Sequence, residues 1–250
     1  MNFSNKTPSL ECEGFVHSVE TCGTVDGPGL RYVIFLTGCP LRCVYCHNPD
    51  TQQLKNGKVT TARETVRQVL RYKSFIRNGG VTISGGEPLT QQLFVESVLR
   101  EVKKNQLHTA LDTSGCFGVQ VSPSLLDLVD LVLLDIKAWT NEDYLSITGK
   151  SVTPVLEFAK LLERLQKPTW IRFVLVPRLT DREETIHGIA AFVQNMKNVE
   201  RVEVLPFHKY GESKYKELGL KYTLSETQPP SEERTEEVRE IFRSYGLLTY

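Results

Sequence analysis

Cys39, Cys43 and Cys46 stand within eight residues of one another in GCPLRCVYCHNPD (38–50), spaced four and then three apart. A thiolate is a nucleophile and a soft metal ligand, so thiols crowded into a loop with Gly38, Pro40 and Arg42 point to metal before packing. Four uses compete. A buried free cysteine behaves as a small hydrophobe. Structural zinc would take the three thiolates with His47, yet His47 directly follows Cys46 and zinc ligands usually come as two separated pairs. CVYCH (43–47) matches the covalent haem signal, but that leaves Cys39 idle and only Met196, besides Met1, as an axial sulfur. A cubane iron–sulfur cluster, whose four irons normally take four thiolates, would be held at three corners with one iron open to a reactant. An absent protein ligand marks the substrate position in catalytic zinc sites by the same logic.

Such a loop needs a scaffold, and the chain has the length for one. At 250 residues a domain buries roughly 70–75% of its unfolded surface, so it needs no covalent staples. Hydrophobic residues are 40% and charged residues 24%, the balance of an ordinary globular protein. Lys+Arg and Asp+Glu are equal at 30 each, which argues against nucleic acid or an anionic membrane as a partner. No apolar run approaches the ~18–20 residues of a membrane helix, and MNFSNKTPSLECEG lacks the layout of a secretory signal. A cytoplasmic protein with reduced thiols is expected, and a monomer.

From residue 31 the pattern alternates. RYVIFL (31–36), GVTIS (80–84), HTALD (108–112), LVLLDI (131–136), WIRFVLV (170–176) and RVEVLP (201–206) read as strands, most of them too apolar throughout to have one wet face. Helical spacing fills the gaps, in ARETVRQVLRYKSFI, TQQLFVESVLREVKKN, SPSLLDLVD, TPVLEFAKLLERLQ and DREETIHGIAAFVQNMK, with Thr90, Ser122 and Thr180 as expected caps. Alternation of this kind implies an α/β fold with parallel pairing, here an incomplete (β/α)6 barrel. The expected organisation is a single domain over 1–250. It comprises a lead-in (1–30) with a DGPG loop, a partial barrel (31–206) and a C-terminal extension (207–250) ending in an amphipathic helix. Residues 209–234 read as a surface excursion. Chemistry belongs at the carboxyl ends of the strands, where the cysteine loop follows the first of them.

The cysteine spacing resembles that of the radical S-adenosylmethionine (SAM) superfamily, and SGGEPL (84–89), after the second expected strand, is similar to its GGE motif. TVDGPGLR (24–31), YCHN, LDTSG (111–115), LLDIK (133–137), WIRFV (170–174) and NVERVEVLPFH (198–208) extend the likeness, over nearly the whole chain, to the activating enzymes of glycyl radical enzymes. The interval from His47 to Ile83 holds no cysteine, which matches the short members that act on pyruvate formate-lyase. GGEPL and Cys116 depart from some members.

The resemblance implies a [4Fe–4S] cluster on Cys39, Cys43 and Cys46, with SAM chelated to the fourth iron. It implies reductive cleavage of SAM by an electron from a flavodoxin or ferredoxin, then hydrogen abstraction from a glycine of the protein substrate. A sulfonium resists reduction, so the cluster must work toward the low end of a range of about −700 to +450 mV. Tyr45 and His47 are expected against the nucleoside or the glycine loop, and Gly85, Gly86 and Glu87 against the SAM ammonium. Asp112, Thr113, the Leu133 carbonyl and Asp135 are expected to cradle a monovalent cation. Ile136, Lys137 and Arg172 belong to the SAM site, His208 to its adenine side, and Asp26 to the incoming glycine loop. Cys12, Cys22, His17, His108 and His187 receive no role.

Overall fold

Parallel strands buried on both faces need continuous apolar runs, and those runs become strands in the computed structural model, which describes residues 7–250. The strands are β1 (Glu13–Gly23), β2 (Arg31–Leu36), β3 (Lys58–Thr61), β4 (Gly80–Gly85), β5 (Thr109–Thr113), β6 (Leu131–Asp135), β7 (Thr169–Leu175) and β8 (Val199–Pro206). Their order, β3-β1-β2-β4-β5-β6-β7-β8, is open. β2 pairs parallel with β4, β4 with β5, and β7 with β8, whereas β1 runs antiparallel to β2 and β3. Each expected strand forms within two residues of its expected bounds, and the unclosed, mostly parallel sheet agrees with an incomplete barrel.

The helices are α1 (Ala62–Arg71), α2 (Gln92–Lys104), α3 (Pro123–Asp127), α4 (Asn141–Thr148), α5 (Thr153–Arg164), α6 (Glu183–Val193), α7 (Glu212–Glu217) and α8 (Glu232–Ser244). Thr61, Ser122, Thr140 and Ser231 cap their helices by accepting from the amides of Glu64, Leu125, Asp143 and Arg234. Thr90 and Thr180 do not. Thr90 Oγ1 donates to the Glu87 carbonyl at 2.8 Å and Thr180 Oγ1 to the Val174 carbonyl at 2.7 Å, so each ties a turn back to its own strand end.

Within the 1–30 lead-in β1 forms, a strand of 11 residues that the sequence reading did not name. Its register shifts twice against β2, between Val16 and Ser18 and between Glu20 and Gly23, and such bulges break the period-two pattern by which a half-wet strand is read. The start of the chain, MNFSNK, lies outside the described residues. Within the 209–234 excursion α7 forms, and α4 is a helix that the apolar spacing did not announce.

The chain forms two compact units. One comprises the described residues to Pro40 with Thr51–Thr113 and Gln120–Val132; the other comprises Leu41–Asp50, Ser114–Val119 and Leu133–Tyr250. In the first, Val33, Ile34, Val81, Ile83, Ala110 and Leu111 are fully buried or nearly so, and α1 packs beside α2. In the second, α5 buries Val155, Phe158 and Leu162, α6 buries Ile186, Ile189 and Val193, and Phe242 of α8 meets Phe173 of β7 with ring centroids 5.9 Å apart. The last residues cover the outer edge of β8: Val202 donates to the Leu248 carbonyl and Val204 to that of Tyr250.

The loop after β6 is pinned by Trp139, whose ring lies on Gly188 of α6. A Cβ on Gly188 would sit 2.2 Å from Trp139 Cδ1. Alanine normally adds about 1 kcal/mol to a helix relative to glycine, but overpacking costs roughly 1–3 kcal/mol. The clash wins here, and Gly188→Ala is expected to lower stability by about 1 kcal/mol in urea denaturation; a raised midpoint would show that Trp139 does not hold this position.

Candidate functional site

In the first unit, backbone meets backbone where β2 and β4 end. The Gly86 amide donates to the Leu36 carbonyl and the Glu87 amide to that of Gly38, both at 2.8 Å. Gly85 has φ +119, and a Cβ there would lie 2.2 Å from the Leu36 nitrogen; at Gly86 a Cβ would lie 2.6 Å from the Gly38 oxygen. Only glycine permits this approach. The Gly38 and Cys39 amides in turn donate to the carbonyls of Thr51 and Gln52, at 2.7 and 3.0 Å, which fixes the start of the thiol loop.

Glu87 is fully buried, and its Oε1 accepts from the Leu89 amide at 3.1 Å and from Thr113 Oγ1 at 2.7 Å. Asp112, one residue earlier on β5, accepts from Ser84 Oγ at 2.6 Å. The expected residues Glu87, Asp112 and Thr113 are therefore joined through the ends of β4 and β5. Asp26 belongs to a different network of this unit, its carbonyl accepting from Thr82 Oγ1 at 2.6 Å.

The second unit carries Cys43, Tyr45, Cys46 and His47. An α-helix leaves its last carbonyls without internal partners. At the end of α4, those of Thr148 and Ile147 accept from the amides of Arg42 and Val44, at 2.8 and 3.0 Å, so the helix end clamps the thiol loop. The Cys46 amide closes a turn onto the Cys43 carbonyl at 3.1 Å. None of the chain's described cysteines is in a disulfide. Among the described residues, no three His, Cys, Asp or Glu side chains form a ready group for a single metal ion.

Burial pushes the Cys43 thiol up to about 11, against the opposing pull of Lys137. Lys137 is itself buried, which alone would lower its pKa, but Asp135 at 2.7 Å reverses the sign and keeps the ammonium charged. Its Nζ stands 5.9 Å from the Tyr45 ring centroid. The phenols of Tyr45 and Tyr144 are both buried with no hydrogen-bond partner, and burial raises the pKa of each. Two buried phenols and one cation thus lie within electrostatic reach of a desolvated sulfur.

His47 Nε2 lies 2.9 Å from the His208 carbonyl. A carbonyl only accepts, so Nε2 carries the proton, and Nδ1 of the neutral ring holds the lone pair. Burial lowers the pKa of His47, with the bond to the carbonyl opposing, and burial lowers that of His208 as well. The two rings stack at 4.1 Å, the Tyr210 ring lies 3.9 Å beyond His208, and His208 Nδ1 is buried without a partner. Lys214 of α7 reaches Asn48 at 2.8 Å and Asp50 at 3.1 Å, while a Cβ on Gly211 would come within 2.9 Å of the Cys46 oxygen. Residues 208–214 are therefore packed directly on the YCHNPD segment.

Arg172 lies in β7 opposite Glu203 of β8, with Nε 3.2 Å from Oε2, and Glu203 also holds Arg201 at 2.5 Å. The Ile136 amide donates to the Arg172 carbonyl at 3.1 Å, joining the end of β6 to β7. The sequence reading missed Tyr144, Glu203 and Lys214. Only Glu203 left a signal, as a charge alternating with Arg201 inside an otherwise apolar strand; Tyr144 and Lys214 reach the site only through folding.

Residues 33–189 match the radical SAM superfamily. A pyruvate formate-lyase-activating enzyme of Staphylococcus epidermidis is 44% identical over 94% of this chain and 98% of its own length. The Staphylococcus aureus protein of the same name is 44% identical over 88% of this chain and 92% of its own. In fold, the chain is similar to a domain of pyruvate-formate lyase-activating enzyme from Bacteroides vulgatus (TM-score 0.56, 23% identity, 69% of this chain and 98% of that one). QueE from Escherichia coli shares the fold too, with a TM-score of 0.57 at 13% identity over 95% of this chain and 92% of that one. Thiol spacing, a GGE turn bonded to the thiol loop and an unclosed parallel sheet are thus accompanied by kinship along almost the full length, and the chain belongs to the radical SAM superfamily.

Proposed function

We propose that this protein activates pyruvate formate-lyase by placing a radical on one of its glycines, acting in the cytoplasm as a monomer and as one radical SAM domain over 1–250. The observation that carries the reading is 44% identity with a pyruvate formate-lyase-activating enzyme across 94% of one chain and 98% of the other. Among the described residues no helix is long and apolar enough to cross a membrane.

Radical SAM chemistry requires a [4Fe–4S] cluster and SAM, and the residues present fit both. Cys39, Cys43 and Cys46 would hold three irons and leave the fourth to SAM. The desolvated Cys43 sulfur and the unpartnered buried phenols of Tyr45 and Tyr144 make a dry, donor-rich wall suited to an anionic cluster. A bound cluster would supply the electron, drawn from flavodoxin or ferredoxin, for reductive cleavage of SAM to methionine, and SAM would supply the 5′-deoxyadenosyl group that takes the Cα hydrogen of the target glycine.

The chain's own residues bind and orient. Lys137 and Arg172, each held by a carboxylate, offer charge to the SAM carboxylate and ribose, with Ile136 tying their strands together. Glu87 Oε1 accepts from the Leu89 amide and from Thr113 Oγ1, which fixes the carboxylate, and the SAM ammonium falls to that carboxylate and to the backbone of Gly85 and Gly86. Asp112, Thr113, Asp135 and the Leu133 carbonyl supply hard oxygens for a monovalent cation. His47, His208 and Tyr45 serve the nucleoside, and Asp26 serves the glycine segment.

Anaerobically reconstituted protein, reduced and given SAM and pyruvate formate-lyase, is expected to yield 5′-deoxyadenosine and a glycine-centred signal in electron paramagnetic resonance. Cys43→Ala is expected to abolish both and keep a native circular dichroism spectrum; unaltered turnover would remove Cys43 from the ligand set. Glu203→Gln weakens the hold on Arg172 while preserving shape. The KM for SAM is expected to rise about tenfold, equivalent to about 1.4 kcal/mol, with kcat changed less; an unchanged KM would detach Arg172 from SAM.

A further inference from the structure

Arg31 is fully buried at the start of β2, an expensive place for a guanidinium. Its donors go mainly to neutral oxygens: Nε to Thr82 Oγ1 at 2.5 Å, one terminal nitrogen to the Pro28 carbonyl at 3.1 Å and the other to the Val81 carbonyl at 2.6 Å, with His108 Nδ1 3.4 Å away. Thr82, also fully buried, donates its own hydroxyl proton to the Asp26 carbonyl at 2.6 Å. A relay therefore runs from the guanidinium through Thr82 to Asp26, while a direct bond reaches Pro28.

The glycines make room for it. Gly27 has φ +122, and a Cβ there would lie 2.9 Å from Arg31 Nε; Gly29 has φ +70, and a Cβ would lie 2.7 Å from the Asn78 oxygen. Burial lowers the guanidinium to about 10, with Asp26 and Asp130 opposing, so it remains charged at neutral pH. A buried charge of this kind destabilises unless its hydrogen bonds are made, and here one ends on the Pro28 carbonyl and a second reaches the Asp26 carbonyl through Thr82. Outside the relay, Val25 is 68% exposed.

We propose that Arg31 and Thr82 are positioning residues that hold the Asp26–Gly29 turn rigid for an incoming extended peptide segment, setting affinity for the protein substrate and leaving SAM cleavage untouched. The inference rests on reading the chain as the activator of a glycyl radical protein. A turn already fixed by buried donors loses little entropy on binding, whereas a loose one must be ordered at a cost of about 1–2 kcal/mol per residue.

Thr82→Val keeps the shape and removes the hydroxyl. In reconstituted full-length protein, the KM for pyruvate formate-lyase is expected to rise about five- to tenfold, with kcat and partner-free 5′-deoxyadenosine production within twofold of wild type. Thr82→Ser should restore KM, and Arg31→Lys, which keeps charge but loses the fork, should raise it. Amide exchange at residues 24–29 should accelerate at least tenfold in Thr82→Val while the rest of β4 stays protected. An unchanged KM, unchanged exchange, or a parallel fall in partner-free cleavage overturns the relay alone. Wild-type protein that cleaves SAM but never marks a glycine overturns the functional reading together with it.

Discussion

A sulfur stripped of water does not ionise unaided, and this constraint organises the second unit. Burial pushes the Cys43 thiol up to about 11, which favours its neutral form. The surroundings compensate. Lys137 brings a buried positive charge, Asp135 keeps that charge in place at 2.7 Å, and the phenols of Tyr45 and Tyr144 retain unused donors. Without Asp135, burial would push Lys137 toward its neutral form, and the charge facing the sulfur would be lost.

Position has a different origin in the first unit, where hydrogen-bonded backbone replaces side-chain charge. The thiol loop begins on carbonyls and amides shared with the Gly85–Glu87 turn, at distances that a single Cβ would prevent. Glu87 then binds Thr113 and couples the turn to β5. Close glycine packing gives a precision that long side chains cannot, because it leaves no rotamers to freeze.

Charged groups inside the sheet obey the same economy. Arg172, Glu203 and Arg201 alternate across β7 and β8, and Arg201 is stacked 3.2 Å over the Trp170 ring and 4.9 Å from that of Tyr250. Each charge has a partner. Arg31 follows the rule with neutral acceptors and a relay through Thr82.

The sequence alone determined six of the strands from residue 31 onward and the close spacing of Cys39, Cys43 and Cys46 ahead of the GGE turn, because doubly buried strands need unbroken apolar runs and spacing along the chain is covalent. It also placed Asp112, Asp135 and Lys137 at strand ends, since polarity breaks an apolar run where the strand emerges. Bulged β1 stayed hidden, as did α4, whose apolar spacing is weak. Only the tertiary structure decided that the carbonyls of Ile147 and Thr148 hold the thiol loop, that the Tyr144 phenol is buried within electrostatic reach of Cys43, that Glu203 grips Arg172 and that Lys214 reaches Asn48 across 166 residues of chain. Those partners lie far apart along the chain, and no local pattern encodes a hydrogen bond whose two ends are brought together only by packing.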